Sequence, residues 1–306
     1  MQILTSYNII FGKTVATIGV FDGVHTGHRF LLEKLKNIGT NCKFAPTFKS
    51  LVVTFNNHPQ TFFYPQNDFK LLTTTAEKID LLAEINPDYC LSLDFDAKIF
   101  SMKSAEFLLF LKKNYSVEKL LAGYNHSFGS DKIRSIEDYK RIGQDSGVEI
   151  IACEPFFVAE NQQVSSSNIR KFLLDGNIEN ANLLLGKKYF LQGVVENGEK
   201  IGRKIGFPTA NLKINSQKLI PCKGVYSVDI EVKNRHFNGM LYIGNRPTLN
   251  GQNQKIEVHI FDFSENIYGQ NIKIFFKKFI RADKKFETLE ELKRQLEKDK
   301  KEILQE

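Results

Sequence analysis

Apolar residues fall into two rhythms along the chain, and the change between them divides it. Between Thr14 and Cys153, short apolar runs at residues 15–21, 51–55, 89–93, 120–123 and 148–153 alternate with longer stretches whose apolar residues recur three and four apart. Short continuous runs are the mark of strands buried on both faces, and the three-to-four rhythm is that of helices. Strand and helix in alternation predict βαβ units around a parallel sheet. The first of these helices carries Leu31, Leu32, Leu35 and Ile38 on one face, and Gly39 stands where it is expected to end.

Past about residue 185 the rhythm becomes two. Residues 190–195, 225–231, 236–244, 255–263 and 271–277 alternate apolar and polar, with turn chemistry at Asn197-Gly198, Asn250-Gly251 and Tyr268-Gly269-Gln270. Short alternating strands at this spacing predict an antiparallel barrel. The chain then closes with a helix in which Thr288 and Glu291 occupy capping-box positions, and Leu289, Leu292, Leu296 and Ile303 form a stripe expected to pack on the barrel. Two domains are therefore expected, residues 1–185 and 186–306, with the linker near residues 186–189.

Composition narrows the class. At 306 residues, 42% hydrophobic and 25% charged, the chain has the content of a soluble two-core protein. No apolar run reaches the ~18 residues that span a bilayer, and the first residues lack a signal-peptide pattern, so a cytoplasmic location without membrane association is expected. Cys42, Cys90, Cys153 and Cys222 have neither zinc-ligand nor redox-pair spacing, which suits a reducing compartment. The net charge of +7 attracts polyanions, but without an RNP-type aromatic motif or a basic recognition helix it points to small polyphosphates rather than nucleic acid. A basic RNA-binding module remains the alternative from a different class. The expected partners are small-molecule substrates, bound by a monomer or weak homo-oligomer.

The chemistry concentrates in two segments. Residues 19–28, Gly-Val-Phe-Asp-Gly-Val-His-Thr-Gly-His, leave a buried strand, turn at Asp22-Gly23 and enter a helix. Glycines let a phosphate approach the backbone, and a helix N-terminus offers N–H groups and a favourable dipole. His25 and His28, three apart, share a face and can both donate to one α-phosphate as pyrophosphate departs. An isolated HxxH would favour a plainer reading, one histidine capping the helix and the other packing; strand, Asp-Gly turn and HxGH together favour the chemical one. The stretch resembles the HxGH signature of the nucleotidyltransferase superfamily, and specifically the prokaryotic FAD synthetase family. Thr54-Phe55-x-x-His58-Pro59, Gly123-Tyr124-Asn125-His126-x-Phe128-Gly129 and Ser165-Ser166-Ser167-Asn168-Ile169-Arg170 resemble further motifs of that family in order. The resemblance implies a Rossmann-like α/β domain. It further implies an ATP site of Gly19, Phe21, Asp22, Gly23, Gly27, Ser165, Ser166 and Arg170, and FMN placed by His58, Pro59, Asn125 and Phe128. Ser167 stands where the family usually has threonine, Ser127 where it often has arginine, and residues 132–135 lack its usual glycine.

The second segment, residues 193–211, is rich in glycine and cations suited to polyphosphate, yet it is no Walker A loop, because Glu199 rather than lysine follows Gly198 and neither serine nor threonine follows Lys200. Gly206-Phe207-Pro208-Thr209-Ala210-Asn211 resembles the PTAN motif of riboflavin kinases, and Gly224-Val225-Tyr226, residues 243–248, Ile256-Glu257-Val258-His259 and Arg281 match that family in order. By that resemblance Gly198, Lys200, Gly202, Lys204, Gly206 and Pro208 contact ATP, Thr209 and Asn211 hold Mg²⁺ with its ATP, Glu257 is the base toward the ribityl 5′-hydroxyl, and Arg281 contacts the flavin. The alternation of strand 255–263 independently puts Glu257 and His259 on one face, opposite Ile256, Val258 and Ile260. His58, His236 and His259 lack metal-ligand spacing and are read as structural or near-site. Taken together the chain resembles the bifunctional riboflavin kinase/FAD synthetase family: riboflavin and ATP would give FMN and ADP, then FMN and a second ATP would give FAD and pyrophosphate, both steps with Mg²⁺. The alternative among enzymes is a nucleotidyltransferase for another phosphorylated metabolite, such as a pantetheine phosphate or a cytidylyl acceptor.

Overall fold

The computed structural model describes residues 1–4, 12–40, 48–66, 68–124, 127–133, 135–158, 162–198, 201–246 and 253–305. It divides into two compact units, Met1–Ser165 and Ser166–Glu306.

In the first unit six parallel strands, β1 (Gln2–Leu4), β2 (Thr14–Ile18), β3 (Lys49–Phe55), β4 (Tyr89–Leu93), β5 (Val117–Ala122) and β6 (Glu149–Ala152), lie in the order β1-β4-β3-β2-β5-β6. They alternate with α1 (Thr26–Thr40), α2 (Pro59–Phe63), α3 (Thr75–Ile85), α4 (Ala97–Ser101), α5 (Ser104–Tyr115) and α6 (Ile136–Ser146). A small hairpin, β7 (Phe157–Val158) with β8 (Gln162–Gln163), ends the unit. The five predicted strands are all present. β1 went unread because three residues carry no period; it pairs with β4. β2 is buried along its whole length, and its two threonines are tolerated there because Thr14 and Thr17 donate their hydroxyls to the Tyr115 and Leu121 carbonyls, each at 2.9 Å. Leu31, Leu32 and Leu35 of α1 are buried as the pattern requires, but the helix runs past Gly39 to Thr40. A helical glycine costs only about 1 kcal/mol, so it does not by itself stop the helix.

The winding reverses at β2, whose neighbours are β3 and β5. Ligands of open α/β sheets bind beyond the carboxyl ends of the strands at such a switch point. Residues 19–28 leave the sheet there.

The second unit opens with α7 (Ser166–Leu174) and α8 (Ile178–Leu185) and continues as a closed six-stranded barrel. Its strands are β9 (Phe190–Glu196), β10 (Ala210–Ile214), β11 (Gly224–Val232), β12 (Arg235–Arg246), β13 (Asn253–Ile260) and β14 (Asn271–Arg281), ordered β10-β13-β12-β11-β14-β9, with the short α9 (Ile201–Lys204) between β9 and β10. The sequence pattern hid β10 within the Gly-rich segment. It also placed residues 166–185 with the first domain, whereas the compact division groups α7 and α8 with the barrel. Asn182 shows why: its amide donates to the Phe276 carbonyl at 2.9 Å and its carbonyl oxygen accepts from Tyr189 N–H at 2.7 Å. The closing helix α10 (Leu289–Leu304) packs Leu296 and Ile303 against Phe207, Val225, Met240 and Phe261. Leu289, expected in that stripe, is 48% exposed and stays outside the cluster. The capping box is half-formed: Thr288 accepts from Glu291 N–H, while the Glu291 carboxylate accepts from Glu287 N–H instead of the Thr288 backbone, each at 3.2 Å.

Candidate active sites

In the first unit, β2 hands the chain to a turn in which Phe21 (φ 53°) and Val24 (φ 42°) are left-handed. Such angles persist only where neighbours impose them. The buried Asp22 carboxylate accepts from Leu72 N–H (3.1 Å), Thr73 N–H (2.9 Å) and the Thr73 hydroxyl (3.2 Å), and Thr73 Oγ1 in turn accepts from Gly23 N–H (3.0 Å). Asp22, assigned by resemblance to the ATP site, thus fixes the loop. Gly19 is required by close approach, since a Cβ there would lie 2.9 Å from the Phe21 ring, and that ring stands edge-on to His28 at 5.1 Å.

His25 immediately precedes α1. Its Nδ1 accepts from His28 N–H at 3.2 Å and its carbonyl accepts from Arg29 N–H at 2.9 Å, so it caps the helix. The two imidazoles stack, centroids 3.5 Å apart and 14° from parallel. An imidazole accepting at Nδ1 in its neutral form carries its proton on Nε2, which makes His25 a donor at that atom. Capping and pairing are one arrangement here, not alternatives. A Cβ at Gly27 would sit 3.8 Å from Val164, so the residue before Ser165 adjoins the loop. Ser165 ends the first unit, while Ser166 and Arg170 lie on α7 in the second.

Beside the loop is a cavity of about 430 Å³ reached by Gly19, Val20, Phe55, Pro59 and Phe128, with Phe63, Phe95, Phe100 and Phe107 completing an aromatic wall and Ser127, Ser130 and Lys132 supplying polarity. Phe128 is held by its N–H to the Tyr139 hydroxyl (2.9 Å) and by stacking on that ring. His58 serves α2 as a cap, Nδ1 accepting from Gln60 N–H at 3.1 Å, and rests on Phe69. Asn125 lies outside the described residues. The aromatic wall escaped sequence reasoning although Phe62-Phe63-Tyr64 was a visible signal.

In the second unit, Asn211 on β10 and Tyr242 on β12 are the two cross-strand partners of Glu257 on β13. Gly198 packs so closely on Asn211 that a Cβ there would lie 1.9 Å from its Nδ2. Gly206 turns the chain at φ 84° toward Pro208 and Thr209. Lys200 and the Lys204 side chain lie outside the described residues. A cavity of about 300 Å³ gathers Gly202, Thr209, Tyr242, Lys255, Glu257, His259, Arg281 and Asp283 against Phe207, Met240, Leu292 and Leu296. Lys255 Nζ pairs with Glu257 Oε1 at 3.1 Å. Tyr242 donates to Asp283 at 3.1 Å, and burial, then the Asp283 charge, push its phenol up to about 12. His259 donates from Nδ1 to the Pro208 carbonyl at 2.7 Å, steadying the backbone next to Thr209; burial holds its pKa below the ordinary histidine value. Arg281 reaches Asp299 of α10 through Nε (2.9 and 3.1 Å) and Nη2 (2.8 Å).

A second barrel cavity of about 400 Å³ shares Thr209 and is lined by Val195, Arg203, Pro208, Ala210, Phe263 and Tyr268. Among the described residues no cluster of three or more His, Cys, Asp or Glu is placed to hold a metal by itself. The Thr209 hydroxyl, the Asn211 carboxamide and the Glu257 carboxylate are hard oxygen donors of the kind Mg²⁺ takes alongside substrate phosphates.

Residues 9–168 match the family model described as FAD synthetase, and residues 185–306 the one described as riboflavin kinase. The chain is similar to proteins named bifunctional riboflavin kinase/FMN adenylyltransferase: 32% identical over 299 residues to that of Bacillus subtilis, covering 95% of this chain and 92% of the relative. The relative from Escherichia coli (strain K12) is 34% identical over 287 residues, with 93% and 90% covered. That of Haemophilus influenzae is 35% identical over 299 residues, with 97% and 95% covered. A crystal structure described as a macrolide-efflux protein from Streptococcus pneumoniae superposes with a TM-score of 0.90 at 30% identity, covering 98% of each chain. Both family models match in tandem and the relatives align along nearly their whole length. The chain belongs to the bifunctional riboflavin kinase/FMN adenylyltransferase family, with the FAD synthetase part in its parallel-sheet half and the riboflavin kinase part in its barrel.

Proposed function

We propose that the two barrel cavities divide the kinase substrates, riboflavin entering the one that holds Glu257 and ATP the one beside Arg203 and Tyr268. The observation that carries this is Thr209, which lines both cavities, with Glu257 flanked across the strands by Asn211 and Tyr242. Glu257 takes the proton of the ribityl 5′-hydroxyl as that oxygen attacks the terminal phosphorus of ATP, whose bond to the bridging oxygen breaks to release ADP. Lys255 keeps the carboxylate in place. Thr209 and Asn211 would hold Mg²⁺, which supplies charge neutralisation on the transferring phosphoryl group when bound.

In the first unit the aromatic cavity takes the isoalloxazine ring of FMN and the α1 N-terminus takes the α-phosphate of ATP. An FMN phosphate oxygen attacks the α-phosphorus and pyrophosphate leaves, while His25 and His28 donate hydrogen bonds to the growing charge. Ser165, Ser166 and Arg170 are assigned to the ATP phosphates. We further read the enzyme as cytoplasmic and monomeric or weakly associated, with small molecules and not nucleic acid as partners, and residues 1–185 and 186–306 as its functional parts. Both family models and the curated relatives point to flavin chemistry and not to macrolide efflux.

The test is reciprocal. In purified full-length chain given riboflavin, ATP and Mg²⁺, or FMN in place of riboflavin, His28→Ala should lower FAD formation by about 10²- to 10³-fold and leave FMN formation intact. Glu257→Gln should do the reverse. A folded His28→Ala protein that loses both activities, or a Glu257→Gln protein with full kinase turnover, would refute the assignment.

A further inference from the structure

Lys78, on α3, is 5% exposed, and its amine lies where two neighbouring strands leave the sheet. It donates to the carbonyl of Phe55, the last residue of β3, at 2.5 Å and to the carbonyl of Val20, just past β2, at 3.3 Å. Both carbonyls belong to residues that line the aromatic cavity, and Val20 lies in the loop that leads to His25 and His28. Thr54 Oγ1 donates to the same Val20 carbonyl at 3.2 Å, and Thr75 Oγ1 ties the Asn56 carbonyl to the start of α3 at 2.7 Å.

A methionine would fill this space without the desolvation that a buried charge entails. Nothing in the packing of α3 demands an ammonium: of its other buried positions Leu81 and Leu82 are aliphatic, and Glu77 is turned to the capping box with Thr74. What the ammonium adds is a charge-assisted link between two chain segments that otherwise meet through the sheet and the neutral Thr54 hydroxyl. We propose that Lys78 is a positioning residue for adenylyl transfer, its ammonium clamping the Val20 and Phe55 carbonyls so that the histidine-bearing loop keeps a fixed spacing from the floor of the flavin cavity. The proposal rests on the assignment of that cavity and loop to FMN and ATP.

The groups that face the amine set its titration. Asp22 approaches from the turn and Cys90 from β4, both favouring the charged form, and Glu77 on its own helix is engaged with Thr74. Burial outweighs them and pushes the amine down to about 8. The clamp therefore weakens as pH rises through that value and the charge is lost.

The experiment compares the parent, Lys78→Met and Lys78→Arg as full-length chains, measuring FMN adenylylation and riboflavin phosphorylation in the same samples, with melting temperatures. Lys78→Met should lower the adenylylation kcat by about 10- to 100-fold, the scale of a small misplacement of reacting groups. Phosphorylation should be unchanged. Lys78→Arg, which stays charged at all working pH, should retain more adenylylation than Lys78→Met. In the parent, adenylylation should decline above about pH 8, and that limb should be absent from Lys78→Arg and from the kinase reaction. A folded Lys78→Met protein that adenylylates like the parent overturns the proposal, as does a change confined to melting temperature. If Lys78→Met does not fold, the parent and Lys78→Arg profiles decide: a flat alkaline profile in the parent, or a limb kept in Lys78→Arg, overturns it. Failure of the underlying site assignment is separate, because His28→Ala would then remain active.

Discussion

Asp299 offers a measurable link between a helix and the kinase cavity. It is 1% exposed on α10, and its oxygens accept from Arg281 Nε and Nη2 and, at 2.8 Å, from Gln295. Asp299→Ala removes every one of these acceptors and leaves a guanidinium that is itself only 20% exposed. Stripping one partner from a buried pair costs about 3–5 kcal/mol, and because Arg281 keeps the Ala282 carbonyl at 3.2 Å we expect the lower end. For a unit of this size about 3 kcal/mol corresponds to roughly 10 °C in melting temperature. Leu292 and Leu296 on the same helix wall the cavity that holds Glu257. A loosened helix should therefore raise KM for riboflavin more than it lowers kcat, and FMN adenylylation should be untouched. The double variant Arg281→Met/Asp299→Leu should recover stability, since apolar replacement of both partners is often neutral or better, but not riboflavin affinity. Calorimetry with both assays on the same protein checks this. An Asp299→Ala chain that melts like the parent, or binds riboflavin as well, refutes the latch.

Two further outcomes follow from the barrel. Gly198→Ala places a methyl 1.9 Å from Asn211 Nδ2, so Asn211 must shift; steady-state assays should show phosphorylation falling sharply with adenylylation intact, and an unaffected kinase would show that Asn211 is not needed where it lies. His259 gives a pH dependence: its folded pKa is depressed by burial below the ordinary 6.5, so as pH falls the unfolded chain takes up the proton first. Stability should decline from about pH 6.5 downward until the folded value is reached, and His259→Gln should flatten that acid slope in thermal melts; an unchanged slope would mean that other groups carry it.

What was legible in the sequence was what is written in contiguous residues. The buried runs at 51–55 and 89–93 are strands because a short continuous apolar run is visible locally, and the HxGH turn announces itself as strand, turn and helix within ten positions of chain. β10 was missed because its five residues, Ala210–Ile214, read as the tail of a glycine-rich segment, and β1 because three residues have no rhythm. The site shows the same division. Residues expected to touch substrate sit in motifs, whereas those that hold them in place come from far along the chain. Asp22 closes its loop through residues 72 and 73, Lys78 through Val20 and Phe55, and Arg281 through Asp299. In a sequence each of these looks like an ordinary charge at helical or turn spacing, which most often belongs to solvent. Asp22 is the instructive case. Resemblance assigns it to the ATP site, and the structure shows in addition that its carboxylate accepts from two backbone N–H groups and a hydroxyl of residues 72 and 73. A charged residue within a catalytic motif can thus shape the loop through partners fifty positions away, which no reading of the motif alone reveals.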